Sequence, residues 1–281
     1  MIYSSEKLKA MVRKLSQGNS AKAQILFRNY VMERFLERLS ISPYQENLIL
    51  KGGALVSAMV GLDNRSTMDV DATIKGVTLS EESARKIVEE ICGVPVDDGM
   101  TFEIQKVTQI MDEFDYPGIR IMMEATLESM RTPLKLDFST DDVITPREVV
   151  YAFRLIFEDR TISILAYNLE TVLAEKLETL LSRGTANTRM RDFYDLYALS
   201  ESQEQNIDPD VLKAAFANTC RKRISSGLID EADMILSEVE ESPEMVNLWK
   251  GYQKKFDYAA DITWHMVMQA ARRLMTVAIR V

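Results

Sequence analysis

The chain holds a single histidine, His265, and two cysteines, Cys92 and Cys220, among 281 residues. Zinc sites built on paired histidines are excluded, and the cysteines lie too far apart for metal-ligand spacing. A reduced, cytoplasmic protein is the simplest reading of so few thiols. No G-x-S-x-G occurs, which argues against a hydrolase triad, and there is no Walker loop, G-x-G-x-x-G or fixed-period repeat. His265 sits in a helical stretch with Met and Trp and is read as structural. The longest nearly unbroken apolar run, Ala54 to Leu62, is far short of the roughly 18–20 residues that span a bilayer. The first residues (Met-Ile-Tyr-Ser-Ser-Glu-Lys) carry no basic region followed by an apolar stretch, so neither a membrane nor a secretory signal is expected.

Positive charge is also in short supply: 34 basic against 43 acidic residues give a net charge of −9. That argues against non-specific DNA coating but leaves room for RNA on a local basic patch. Arg183, Arg189 and Arg191 form one cluster and Arg221-Lys222-Arg223 another; either is a patch of that kind or an ordinary solvated helix face. At 46% apolar residues the chain can bury a substantial core and is long enough for two domains. Any catalysis must run on carboxylates, lysines and metal.

Apolar periodicity predicts helices over 5–15 and 20–39, the second on Ile25, Leu26, Tyr30, Val31, Phe35 and Leu39. Asn47 to Leu50 is a short apolar run before Lys51-Gly52-Gly53, then a helix from Ala54 to about Val60 and a turn at Gly61-Leu62-Asp63-Asn64. Met68 to Ile74 alternates like a strand. A helix from Ser80 to Cys92 opens on a capping box at Ser80-Glu81-Glu82-Ser83. Strand-like runs follow at Thr101–Ile110, Gly118–Leu127, Thr132–Phe138, Val150–Phe157 and Thr161–Tyr167, the last two joined through Glu158-Asp159-Arg160. Beyond Asn168 helical periodicity prevails, near 169–183, 189–200, 209–225, 229–239 and 255–279. The expectation is an α/β or α+β domain over 1–165 and an all-helical domain over 166–281.

Asp69 and Asp71 are two apart on a strand, so they share a face with Cα atoms roughly 6.6 Å apart. Asp137 lies in a separate strand, with Lys135 two residues earlier on its face as a phosphate or structural partner. Two carboxylates on one face suit magnesium ions about 3.5–4 Å apart, and a third completes the oxygen shell. Without a cation, clustered acids raise one another's pKa. Gly52-Gly53, between strand and helix, lets backbone N–H groups approach a phosphate. Thr67 shares the carboxylate face and offers a hydroxyl; Arg65 either covers phosphate charge or pairs with an acid. Lys176 lies at the edge of the Leu173, Leu177, Leu180, Leu181 stripe, where it reaches into a cleft or snorkels. Asp192 sits beside Met190, Phe193 and Tyr197, where a carboxylate needs a partner: Lys176, an arginine or a substrate hydroxyl. Asp195, one turn on, projects outward and is the weaker candidate.

The runs Leu50-Lys51-Gly52-Gly53-Ala54-Leu55 and Arg65-Ser66-Thr67-Met68-Asp69-Val70-Asp71 resemble the nucleotidyltransferase toxins of the AbiEii/AbiGii family, within the DNA polymerase β-like superfamily. Lys135-Leu136-Asp137, Glu175-Lys176-Leu177-Glu178 and Arg189-Met190-Arg191-Asp192-Phe193-Tyr194-Asp195-Leu196 match in order and spacing, so the resemblance spans roughly residues 48–199. It implies a mixed sheet flanked by helices and a helical second domain, bilobed, in a toxin of a type IV toxin–antitoxin or abortive-infection phage-defence system. An antitoxin encoded nearby, often a transcriptional repressor, is the implied partner. By motif, Asp69 and Asp71 would bind metal, Thr67 (serine in many relatives) and Lys176 would contact the triphosphate, and Asp192 would be essential. Many superfamily members have Gly-Ser at Gly52-Gly53, so here that contact falls to backbone amides and Thr67.

Together these readings imply transfer of a nucleoside monophosphate from an NTP to RNA, the tRNA 3′ end foremost. Two magnesium ions would act on Asp69, Asp71 and Asp137, with Asp137 also a candidate proton acceptor. The alternatives are nucleotidylation of a protein or small molecule, and a non-catalytic NTP-binding regulator.

Overall fold

The computed structural model describes residues 4–63, 65, 67, 69–111 and 117–279. Asn64 of the expected turn, Ser66 of the run before the strand and Met68 at the expected strand start lie outside the described residues. Two compact units emerge: Met1–Ala58, Ser66–Asp142 and Val149–Ala166 form the first, and Met59–Arg65, Val143–Glu148 and Tyr167–Val281 the second.

The first unit begins with helices α1 (Ser5–Ser16) and α2 (Ser20–Ser40), which pack on each other. Asn19 caps α2 by accepting the Lys22 N–H, and Leu26, Tyr30, Phe35 and Leu39 are buried at the spacing the periodicity predicts. Next come β1 (Leu48–Lys51), α3 (Gly52–Val60), β2 (Asp69–Ile74), α4 (Glu81–Cys92), β3 (Met100–Met111), β4 (Pro117–Leu127), β5 (Met130–Ser139), β6 (Val149–Arg154) and β7 (Thr161–Ala166). The capping box of α4 forms, with Ser80 and Ser83 each satisfying the other's backbone N–H.

The seven strands make one mixed sheet in the order β3-β4-β5-β2-β1-β7-β6. Only β1–β7 and β2–β5 pair in parallel among the described strands. Alternation decides the faces: Val70, Ala72, Leu134, Leu136 and Phe138 are buried, with α2 packed on β5 and β7. Asp69, Asp71, Lys135 and Asp137 occupy the opposite, partly exposed face.

The second unit contains α5 (Leu169–Arg183), α6 (Met190–Gln203), α7 (Pro209–Lys222), α8 (Ala232–Glu241), α9 (Pro243–Lys255) and α10 (Trp264–Ile279). Helix α10 packs on α5, α6, α7 and α8. Here the sequence reading needs correction: one helix over 255–279 does not form, and α9 precedes it. Ser242 caps α9 and Pro243 opens it, while Met245, Trp249 and Tyr252 bury at steps of four and three. The break before α10 is set by side chains rather than glycine or proline. Trp249 Nε1 donates to the Ile262 carbonyl at 2.9 Å, and Gln253 Nε2 donates to the Ala260 and Ile262 carbonyls at 3.1 and 2.9 Å. No helix among the described residues is long and apolar enough to cross a membrane.

One buried ion pair ties α2 to the start of β3. Arg38 donates to both Asp98 oxygens at 2.7 and 2.8 Å and to the Met100 carbonyl at 2.9 Å. Arg38 is 3% exposed and Asp98 fully buried, so removing one leaves the other uncompensated. Asp98→Ala is expected to cost about 3–5 kcal/mol in chemical denaturation; a loss below 1 kcal/mol would show that water reaches the pair.

Candidate functional site

Strand register, more than sequence proximity, assembles the site. Lys51 of β1 lies opposite Asp71 of β2, Asp71 beside Asp137 of β5, and Asp137 opposite Arg120 of β4. Two positions along, Asp69 lies beside Lys135. The three acids are thus brought onto one face of two adjacent parallel strands, with cations at the margins.

Those cations are engaged. Arg120 grips Asp137 with two parallel hydrogen bonds, Nε to Oδ1 and Nη2 to Oδ2, each 2.8 Å. Lys135 Nζ lies 2.8 Å from Asp69 Oδ2 and 3.6 Å from Asp137 Oδ2. Asp71 has only a long hydrogen bond, accepted from the Gly53 N–H at 3.4 Å, among the described residues. Burial, then Asp137 and Asp69, push the Asp71 carboxyl above the usual carboxylate range, against the opposing pull of Lys51 and the Gly53 amide.

Gly52 has a structural reason to be glycine. Its φ is +63°, and a Cβ there would collide with the Asp71 carboxylate. Close approach of the α3 N-terminus to Asp71 therefore depends on the missing side chain. Lys51 Nζ donates to Asp142 Oδ2 and Ser139 Oγ, each at 2.7 Å. Thr73 and Ser139 also donate to Asp142, and although burial opposes ionisation, Lys51 and these hydroxyls hold its carboxyl at about 2. Thr67 precedes β2 and is buried.

The donors on this face are those magnesium prefers. They are hard carboxylate oxygens, and a divalent ion would offset both the burial and the neighbouring Asp137 and Asp69 charges that raise the Asp71 pKa. Among the described residues no three acid, His or Cys side chains already stand as a metal cage. Asp71 fits the role directly, and Asp69 does so when Lys135 gives way. Asp137 fits it when Arg120 gives way.

The remaining candidates form a separate cluster in the helical unit. Lys176 Nζ lies 2.8 Å from Asp192 Oδ1 and 2.7 Å from Asp195 Oδ2. Arg65 grips Asp195 at 2.8 and 3.3 Å, and Arg189 Nε lies 2.7 Å from Asp192 Oδ2. Arg65 thus pairs with an acid, one of the two roles open to it. Asp195 is the correction: it faces inward and is fully buried. It shares a helix face with Asp192, three residues earlier, and two cations compensate a burial that an isolated carboxylate would not tolerate. Burial opposes the Lys176 charge, yet Asp192 and Asp195 hold its pKa above the usual lysine value. Of the second basic cluster, Arg223 is tied to Glu175 and Glu178 at 3.2 and 2.6 Å. His265 is exposed, 3.4 Å from Glu240.

Arg120 was missed by sequence reading. Its only signal is a charge alternating with buried Ile119 and Ile121, which does not reveal which acid it faces.

Two solved structures from H. pylori share this fold, and with it the class: a nucleotidyltransferase-type mixed sheet flanked by helices. One is a candidate nucleotidyltransferase, with TM-score 0.51, 18% identity, and coverage of 91% of this chain and 96% of that one. The other, JHP933, gives TM-score 0.50 and 19% identity over 91% and 93% of the two chains. No curated protein matches the chain. The family described as nucleotidyl transferase AbiEii toxin, type IV TA system, matches residues 34–272, and the chain belongs to it.

Gly52→Ala is expected to cost about 1–2 kcal/mol for its left-handed backbone and to displace Asp71; an unchanged melting temperature would refute the close approach. Asp195 carries an acid-stability expectation. Burial works against its ionisation, but Arg65 and Lys176 lower its carboxyl from 3.8 to about 2, so its stabilisation is full above the ordinary value and lost as pH falls through about 2. Asp195→Asn should flatten that part of the acid-unfolding curve, followed by circular dichroism.

Proposed function

We propose that the protein transfers a nucleoside monophosphate from an NTP to a hydroxyl of RNA, the 3′ end of tRNA foremost, and thereby blocks growth in a toxin–antitoxin setting. The hydroxyl oxygen forms a bond to the α-phosphorus, the bond to the bridging oxygen breaks, pyrophosphate leaves, and the hydroxyl proton passes to Asp137. The observation that carries this reading is the juxtaposition of Asp69, Asp71 and Asp137 across β2 and β5 beside the Gly52-Gly53 turn. Membership in the AbiEii family supports it.

In this reading Asp69, Asp71 and Asp137 hold magnesium, which when bound supplies charge neutralisation at the triphosphate and lowers the pKa of the attacking hydroxyl. The Gly52-Gly53 amides, Thr67 and Lys176 contact the triphosphate, and Asp192, joined to Lys176, is essential. The partner is an antitoxin encoded nearby, a transcriptional repressor by family resemblance, and the setting is the cytoplasm.

An RNA acceptor is supported by one surface of the helical unit. Phe256 and Tyr258 stack at 5.3 Å with planes 23° apart, both half-buried. The exposed Arg191 guanidinium and Lys255 ammonium lie 5.9 and 5.6 Å from the Phe256 ring centre. Aromatic faces flanked by cations suit unpaired bases and their phosphates, and they do so locally on a chain whose net charge is −9.

Asp69→Ala and Asp71→Ala are each expected to reduce nucleotide incorporation by about 10²-fold or more, and to abolish toxicity, with the circular dichroism spectrum unchanged. A folded variant that keeps full activity would remove the site assignment. Incubation with labelled NTPs and cell extract, followed by ribonuclease or protease, reads the acceptor: label lost only to protease would replace RNA with protein, and NTP binding without pyrophosphate release would make the chain a regulator. Arg191→Gln should weaken RNA binding and lower the slope of log affinity against log salt by about 1; an identical slope would take Arg191 out of the interface.

A further inference from the structure

Three acids crowd one face of the sheet, and two cations sit directly on them. Arg120 engages both oxygens of Asp137, while Lys135 bridges Asp69 and Asp137. Neither cation is locked in: the Arg120 side chain is 39% exposed and that of Lys135 25%. A divalent ion entering this face alone would meet the carboxylates together with two positive groups already holding them. The guanidinium fork that matches a carboxylate matches a phosphate equally well, so a triphosphate offers Arg120 an equivalent partner.

We propose that Arg120 and Lys135, paired here with Asp137 and Asp69, are triphosphate-binding residues, and that their exchange onto phosphate oxygens makes divalent-ion uptake depend on the nucleotide. The inference rests on the proposed nucleotidyl transfer and names how that site takes its substrate. Paired as they are, the two cations offset the repulsion among the acids. When a triphosphate arrives with its metal, the cations pass to the phosphates and release the Asp69 and Asp137 oxygens for the ion. Free energy lost at the two ion pairs is recovered at the phosphates, so metal and nucleotide bind with positive coupling. Sequence spacing already placed Lys135 at the site; the structure adds Arg120 and gives both cations a common role.

The test uses the full chain and equilibrium binding, not turnover. Mn2+ binding is measured by electron paramagnetic resonance, with and without α,β-methylene analogues of the four NTPs, and analogue binding is measured with and without Mn2+ by calorimetry. The wild-type protein should bind Mn2+ at least several-fold more tightly when the analogue is present. Arg120→Gln and Lys135→Gln should each bind Mn2+ alone several-fold more tightly than wild type, bind the metal-free analogue about tenfold more weakly, and lose most of the coupling. Arg120→Lys should keep the weak Mn2+ affinity while losing part of the analogue affinity, because it retains charge without the fork. Circular dichroism establishes that each variant is folded. Wild-type-like binding in both Gln variants would overturn this inference alone, as would weaker Mn2+ binding in them, which would make the cations scaffolds for the carboxylates. A wild-type protein that binds neither Mn2+ nor any analogue would overturn the proposed function as well.

Discussion

The lateral register of four strands is the constraint on which the site depends. Lys51, Asp71, Asp137 and Arg120 come from β1, β2, β5 and β4 and stand in one row across the sheet. Because side chains alternate with period two, a one-residue slip of β2 or β5 would turn the acids into the core and Val70 or Leu136 toward solvent. The apolar face enforces the register: Val70, Ala72, Leu136 and Phe138 are all buried. The chemistry on one face is therefore aligned by hydrophobic burial on the other.

The two clusters of charge answer different physical demands. In the helical unit Asp195 and Arg65 are almost wholly out of solvent and Lys176 nearly so, with each acid facing two cations. Breaking such a cluster strands a buried charge, which fixes the geometry. On the sheet, the Arg120–Asp137 and Lys135–Asp69 pairs are partly solvated, where ion pairs contribute little and exchange readily. The solvated pairs on the sheet suit a site that must trade partners.

How much of this could be read in advance follows the range of the interactions involved. The strand alternation around Asp69 and Asp137, the α4 capping box and the α2 stripe are local, and the sequence displays them. That β2 lies beside β5 is a non-local fact, and the β4–β5 register that sets Arg120 opposite Asp137 is one that strand alternation alone does not fix. Asp195 was misplaced because a helical projection sees only its own helix, whereas Arg65 and Lys176 arrive from other segments. The stretch after Lys255 was read as helix because helical periodicity was taken to run through it; the interruption comes from Trp249 and Gln253 binding its carbonyls.

The diglycine shows how local chemistry and distant support combine. Gly52 must lack a side chain because Asp71 occupies the space, and its backbone must turn left-handed to begin α3. That turn follows directly after Lys51, whose ammonium is held by Asp142 and Ser139 while Thr73 of β2 binds the same carboxylate. These bonds fasten the end of β1 to its neighbours at the residue before the turn. Lys51 therefore positions the Gly52 backbone and leaves Asp71 without a direct cation of its own among the described residues. An acid left in that state, beside two others and under a glycine turn, is the group on this face with the most to gain from a divalent ion.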